Sequence, residues 1–286
     1  MKKLLSILLV ILIGASLDNR LAAQDNDGIY TKRTTAIERK PAPLPGIREA
    51  DVIWSRTIWR IIDLREKMNQ QFYYPTRDIQ GRTNLINLLL KGIKEGSITA
   101  FEAPILDDSE FKVPMAYEQV KQQFGASAKV TQKRDFATGM MKDTTIQQEM
   151  QTLEVKQLMV KEIWYFDKQK STLQVRILGI CPIRVYYRDD DKNQETVLRK
   201  KLFWVKYPEI RPLLAKYESL NFYNGARSFS FDDLFLTRRF DSYIVKEENI
   251  YNNRSIDQYA TGEYAAKESD RIKNSIFNYE QDLWEY

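Results

Sequence analysis

The chain has 286 residues, 43% of them apolar and 29% charged, with a formal net charge of +5. That is enough apolar material to build a core in one large domain or two modest ones, and the interspersed charges exclude a disordered polyelectrolyte. Histidine is absent, which removes the commonest acid-base group near neutral pH, the commonest transition-metal ligand and every Ser-His or Cys-His nucleophile pair.

Met1-Lys2-Lys3 leads into the apolar run LLSILLVILI at residues 4–13 and then to Leu21-Ala22-Ala23. A basic start, an apolar run about half as long as the roughly 20 residues of a membrane span, and small residues at its end predict a signal peptide over residues 1–23. Gly14-Ala15-Ser16 offers a second cleavage region, and an uncleaved anchor is the competing reading, disfavoured by the short run. Cys181, the single cysteine, is far from either point, so no lipoprotein acylation site is available and attachment to a membrane is expected through a partner. Removing residues 1–23 lowers the charge from +5 to +3, too weak a bias to predict a nucleic-acid partner.

Residues 24–47 are polar and end in PAPLPG, where each proline fixes its own φ and restricts the residue before it. This predicts a flexible, Pro-containing linker, semi-rigid at its end and suited to lie against a partner as an extended peptide. A single α+β domain is expected over residues 48–286, mixing helices with an antiparallel sheet built from hairpins in its central part.

Over residues 49–70, Trp54, Ile58, Ile61, Ile62 and Met68 fall largely on one helical face, and Asp63 with Lys67 forms an acid-to-base pair at helical spacing. The expectation is a helix that ends in the cluster Phe72-Tyr73-Tyr74 before Pro75. A second helix is predicted over residues 83–95 from Leu85, Leu88, Leu89 and Ile93, with Gly96 as its stop. A third follows Val113-Pro114, with Met115, Val120 and Phe124 inward and Gly125 at its end. Residues 126–148 show no clear period and read as a loop or irregular arm.

The alternation in TLQVRIL, the strand formers in EIWYF and the turn DKQKS between them predict an antiparallel hairpin over residues 162–180. RVYYR and VLRKKLFWVKY add two strands around a polar loop at residues 189–195. Pro208 and Pro212 flank a short turn or helix start, with helix expected beyond through Leu213, Leu214 and Tyr217. Near the end, Ile272, Ile276, Tyr279 and Leu283 form a helical stripe that packs on a core or on a neighbouring subunit.

Motifs of catalysis are missing or fail. Asp189, Asp191 and Asn193 match the start of a calcium loop, but Gln194 stands at the glycine position and Lys200 where a bidentate carboxylate is needed. Asp232-Asp233 and Glu280 with Asp282 supply carboxylate pairs of the kind a hydrolase uses, without a supporting constellation. Cys181 lies in the apolar run ILGICPI and reads as a buried thiol. The five tryptophans and 16 tyrosines suit core packing, protein interfaces or carbohydrate binding.

DLREKMNQQFYYP, VRILGICPI, SFDDLFLTRRFDSYIVKEENIYNNRSIDQY and the ending NYEQDLWEY occur together in this order, and the sequence resembles the GldN (PorN) family from about Trp54 to Tyr286. The linker and residues 132–148 carry less of the resemblance. The tail departs from the family pattern at Gln281, where the resemblance implies a histidine. What it implies is a non-enzymatic, cofactor-free periplasmic subunit of the type IX secretion and gliding machinery of Bacteroidota. Such a subunit forms a ring with a GldK/PorK-like outer-membrane lipoprotein and meets a GldM/PorM-like inner-membrane motor protein, with no membrane insertion and no nucleic acid. The competing readings are a periplasmic glycan-binding module and a carboxylate-dependent hydrolase. In the assembly reading, Trp54, Trp59, Arg60, Arg65, Phe72, Tyr73 and Tyr74, together with Trp284 in the tail, are the candidate interface residues, as aromatic and arginine anchors.

Overall fold

The computed structural model describes residues 39–79, 81–104, 110–126, 128–134, 141–147, 150–187, 196–219 and 229–283, with 128–134 and 141–147 described by their backbone. The predicted signal peptide, the acidic loop at 189–195 and Trp284 lie outside the described residues. In chain order the elements are β1 (Val52–Asp63), α1 (Gln70–Tyr73), α2 (Leu85–Lys94), β2 (Ala100–Phe101), β3 (Pro114–Met115), α3 (Tyr117–Gln123), β4 (Ala128–Arg134) and β5 (Met141–Gln147). They continue with β6 (Val155–Asp167), β7 (Thr172–Tyr187), β8 (Val197–Lys201), β9 (Trp204–Lys206), α4 (Tyr207–Lys216), α5 (Phe231–Leu236), β10 (Tyr243–Glu247) and α6 (Glu263–Asp282). The class is α+β, as expected.

Eight strands form one antiparallel sheet in the order β10-β1-β6-β7-β9-β2-β3, with β8 also paired to β7. The predicted hairpin is its centre, longer at both ends than the alternation marked, with Met159 opposite Cys181 and Gln157 opposite Ile183. RVYY, residues 184–187, is the continuation of β7, and VLRKK returns beside it, Lys201 opposite Ile183 and Arg199 opposite Val185.

The helix expected over residues 49–70 is instead β1, paired along its length with β6 and with Ile61 opposite Met159. Successive side chains of a strand point to opposite faces, and here both faces are buried. Ile62 joins Leu158, Val160 and Ile180 on one side, while Trp59 and Ile61 join Met159, Cys181 and Ile183 on the other. The doubly buried run leaves apolar residues at 58, 61 and 62, which imitates a helical stripe. Met68, assigned to that stripe, is 60% exposed, and Asp63 binds Arg65 rather than Lys67.

The irregular arm expected at 126–148 contains a two-stranded antiparallel sheet, β4 with β5. Its segments KVTQKR and MKDTTIQ carry little apolar alternation, so no buried face marked them. The turn-then-helix expected around Pro208 and Pro212 is one helix, α4, which starts at Tyr207 and contains both prolines.

Helices α2 and α6 follow the expectation, whereas α3 starts at Tyr117 so that Met115, expected inside it, lies in β3, and α5 was not expected. The Asn84 side chain accepts from Asn87 N at 2.8 Å to start α2, and Gly96, at φ +73°, closes it. Helices α2, α4 and α5 cover one face of the sheet through Leu88, Ile210 and Leu234. Helix α6 lays Ile272 and Ile276 against Ile58, Ile244 and Ile256 of its own chain, and the Ser269 hydroxyl accepts from Ile244 N at 3.0 Å. The prolines of the predicted linker are held on the domain: Arg211 donates to the Ala42 carbonyl at 2.6 Å and Arg176 to the Pro45 carbonyl. Among the described residues no helix is long and apolar enough to cross a membrane.

Candidate interaction surface

Among the described residues, the aromatic and arginine residues singled out in the sequence do not converge. Phe72 is fully buried against Phe231 and Phe235, with ring centroids at 6.4 and 5.0 Å, and is a core residue. Trp54 is half-buried and stacks on Tyr279 of α6 at 4.7 Å. Tyr73 donates to the Leu153 carbonyl at 3.0 Å, and Tyr74, which is exposed, meets its ring edge-on.

Arg60 is committed inside the fold. It and Arg238 both bind the fully buried Glu162, at 2.5 and 2.8 Å, and Trp164 Nε1 donates to the same carboxylate at 2.9 Å. Burial pushes the Glu162 carboxyl up, but Arg238 and Arg60 outweigh it and hold the group below its ordinary range. Glu162 and Arg238 were not identified in the sequence, since a glutamate within a strand pattern reads as a solvated position.

Trp59 and Arg65 belong to the other face of the sheet. That face is covered over Phe101 and Trp204 by the Phe111 ring, which meets them edge-on at 5.9 and 5.6 Å. Beyond this plug lies a trough of about 930 Å³, floored by Ile61, Met159 and Ile183 and walled on one side by Arg199 and Lys201 of β8. Its other wall is β10, the loop around Tyr251 and Arg254, and the start of α6. Trp59 is held in place by Glu110, which accepts from its Nε1 at 2.9 Å and binds Lys161 at 2.9 Å. The ammonium groups of Lys161 and Lys246 stand 4.8 and 4.4 Å from the Trp59 ring centroid.

At the β8 end the trough opens onto a surface of Arg65, Arg199, Tyr187 and Tyr243, all exposed. Arg65 lies near both tyrosines, and Arg199 near Tyr243. Among the described residues, Arg65 is thus the one sequence candidate on a surface where exposed arginine and tyrosine gather. Its partners were missed because β8 and β10 are remote in sequence from β1 and meet it only through the sheet.

Of the carboxylates weighed as hydrolase pairs, Asp232 and Asp233 have structural duties. Asp232 accepts from Tyr207 Oη at 2.9 Å and binds Arg211 through both oxygens at 3.0 Å, while Asp233 caps α5 through Ser230 N at 3.0 Å. Burial and the neighbouring Asp232 push the Tyr207 phenol far above its ordinary range. Glu280 and Asp282 lie on the last turn of α6. Cys181 is fully buried, which pushes its thiol up to about 12, so it is inert at neutral pH. Among the described residues no group of histidine, cysteine, aspartate and glutamate is placed to hold a metal ion.

No match to the chain was found among curated proteins. The family model described as gliding motility associated protein GldN matches residues 47–285, from the end of the proline segment through α6. The match spans the whole sheet, both of its faces and the trough, and the chain belongs to the GldN family of gliding motility associated proteins.

Proposed function

We propose that this chain is a non-enzymatic periplasmic subunit of the type IX secretion and gliding machinery, which forms a ring with a GldK/PorK-like outer-membrane lipoprotein and meets a GldM/PorM-like motor component. Membership of the GldN family carries the reading. The export signal expected at residues 1–23 supports the compartment. The carboxylates most suggestive of hydrolysis, Asp232 and Asp233, are consumed by Arg211, Tyr207 and the α5 cap, which favours binding over turnover. Arg65, Tyr74, Tyr73 and Trp54 keep exposed or half-exposed surface and, with Trp284 outside the described residues, are the interface residues this reading retains.

The test is purification of the chain from detergent-solubilised envelopes, with the mass and composition of what accompanies it determined. A stoichiometric, high-mass complex with a lipoprotein is expected. Recovery of the free monomer alone, under conditions that preserve other envelope assemblies, overturns the reading.

A further inference from the structure

We propose that the cationic side of the trough is a docking site for an acidic, extended segment of a partner protein, with one apolar side chain of that segment seated on Ile61, Met159 and Ile183. The inference deepens the assembly reading by assigning it a surface and a partner chemistry.

Shape sets the first limit. The floor residues Ile61, Met159 and Ile183 are only 7%, 8% and 3% exposed, although the cavity above them reaches about 930 Å³. An extended chain, which presents single side chains at every second residue, can reach so enclosed a floor with one of them.

Charge sets the second. Arg199, Lys200 and Lys201 are three successive exposed cations, and none takes part in an ion pair among the described residues. Most other charges of the trough are engaged, Glu110 by Lys161, Lys246 over Trp59, Arg254 over Tyr251 at 4.8 Å and Asp257 by the Ser255 hydroxyl, while Asp270 on the far wall is exposed. The acids at the far wall, Asp257 and Asp270, repel an acidic segment toward β8.

Register sets the third. Arg199 and Lys201 share the face of Ile183, because Lys201 lies opposite it and Arg199 opposite Val185. Residues two apart on a strand are separated by about 6.8 Å, the repeat at which an extended chain presents every second side chain. Lysine on a short edge strand also discourages unspecific strand pairing. That role accounts for the charge of β8 but not for the cavity in front of it.

The purified chain tests the site directly. Fluorescence anisotropy is followed with a short labelled peptide carrying glutamate at alternate positions around a central leucine, beside the same peptide with glycine at the centre and a lysine-for-glutamate version. The leucine peptide is expected to bind saturably. Binding weakens about tenfold or more in the Arg199→Glu/Lys201→Glu variant, whose thermal unfolding is unchanged, and again when salt rises from about 0.05 to about 0.5 M. The glycine peptide binds about tenfold more weakly and the lysine peptide not at all. Absence of saturable binding, equal binding by the charge-reversed variant, equal binding of the glycine peptide, or full competition by inorganic phosphate at similar concentration overturns the proposal. Peptide binding without an envelope complex sinks the assembly reading alone, and a complex that withstands Arg199→Glu/Lys201→Glu sinks the docking site alone.

Discussion

Arg238 donates from Nη1 to Glu162 Oε2 at 2.8 Å, joining the loop after α5 to the middle of the central strand β6. Arg60 approaches the same carboxylate from β1, and the guanidinium groups of Arg60 and Arg238 stand 5.7 and 5.4 Å from the Trp164 ring centroid. One buried anion therefore holds two cations from different parts of the chain. Replacing it by glutamine leaves Arg60, itself buried, without a counter-charge. Glu162→Gln is expected to lower the unfolding free energy by about 3 kcal/mol. A fall in the denaturant midpoint at constant slope checks it.

Asn69 does comparable work with no charge. Fully buried, it donates to the Asp63 carbonyl at 2.8 Å and the Asp241 carbonyl at 2.9 Å, and accepts from Asp241 N at 2.9 Å. The turn after β1 is thereby tied to the segment entering β10. Asn69→Ala strands these backbone groups and is expected to cost about 2–3 kcal/mol, with Asn69→Asp also destabilised because an acceptor replaces the donating amide. Thermal unfolding of both variants is the measurement, and a loss in Asn69→Ala of under about 0.5 kcal/mol would count against the assigned role.

These two residues show where sequence reasoning stops. Helix α2 was legible because its leucines repeat at helical spacing up to a glycine stop, and the β6–β7 hairpin because a polar turn separates two runs of strand formers. Strand β1 was not, because burial on both faces erased the alternation that distinguishes strand from helix. The polar junctions at Asn69, Asp63 and Glu162 depend on partners up to 172 positions away, which only the sheet order brings together. The trough is a case of the same kind: Ile61, Met159, Ile183 and Arg199 come from four strands and share no local pattern. Arg65 was singled out for its residue type, and it lies beside that surface because β1 is a strand, not for the helical reason first given.

Asp63 predicts an acid limb to stability. Hydrogen bonds from the Arg65 guanidinium outweigh the opposing effect of burial and lower its carboxyl from 3.8 to about 2. A group depressed in the folded state contributes stability that is present above its unfolded pKa and is lost as pH falls toward the folded value. The Asp63 contribution is thus intact above about pH 4 and fades toward pH 2. Because the Arg65 side chain is 61% exposed, solvent screening limits the contribution to about 1 kcal/mol. Asp63→Asn should be less stable than the parent by that amount at pH 5 and nearly equal to it at pH 2, as read from unfolding curves across this range. A gap that stays constant with pH would rule out the Asp63 carboxylate as its source.

Gly179 controls the plug that bounds the trough. Built on its backbone, a Cβ would stand 2.4 Å from Cζ of Phe111 and 2.8 Å from the Val205 carbonyl oxygen, both far inside van der Waals contact. The Phe111 ring has little room to retreat, since Phe101 and Trp204 meet it edge-on and the residue sits at φ +68°. Gly179→Ala should therefore displace the 110–112 segment and cost about 1–3 kcal/mol. Removing the ring by Phe111→Ala vacates the space, so the double variant should lose about 1 kcal/mol less than the sum of the two single losses. The relief is partial, because the Val205 carbonyl belongs to the adjoining strand β9 and stays in place. Glu110 moves with Phe111, so Gly179→Ala should also loosen the hold on Trp59 Nε1 and Lys161 and shift Trp59 emission, a change absent from a glycine substitution that merely stiffens the backbone. Strict additivity of the two losses would place the Phe111 ring away from Gly179 in solution.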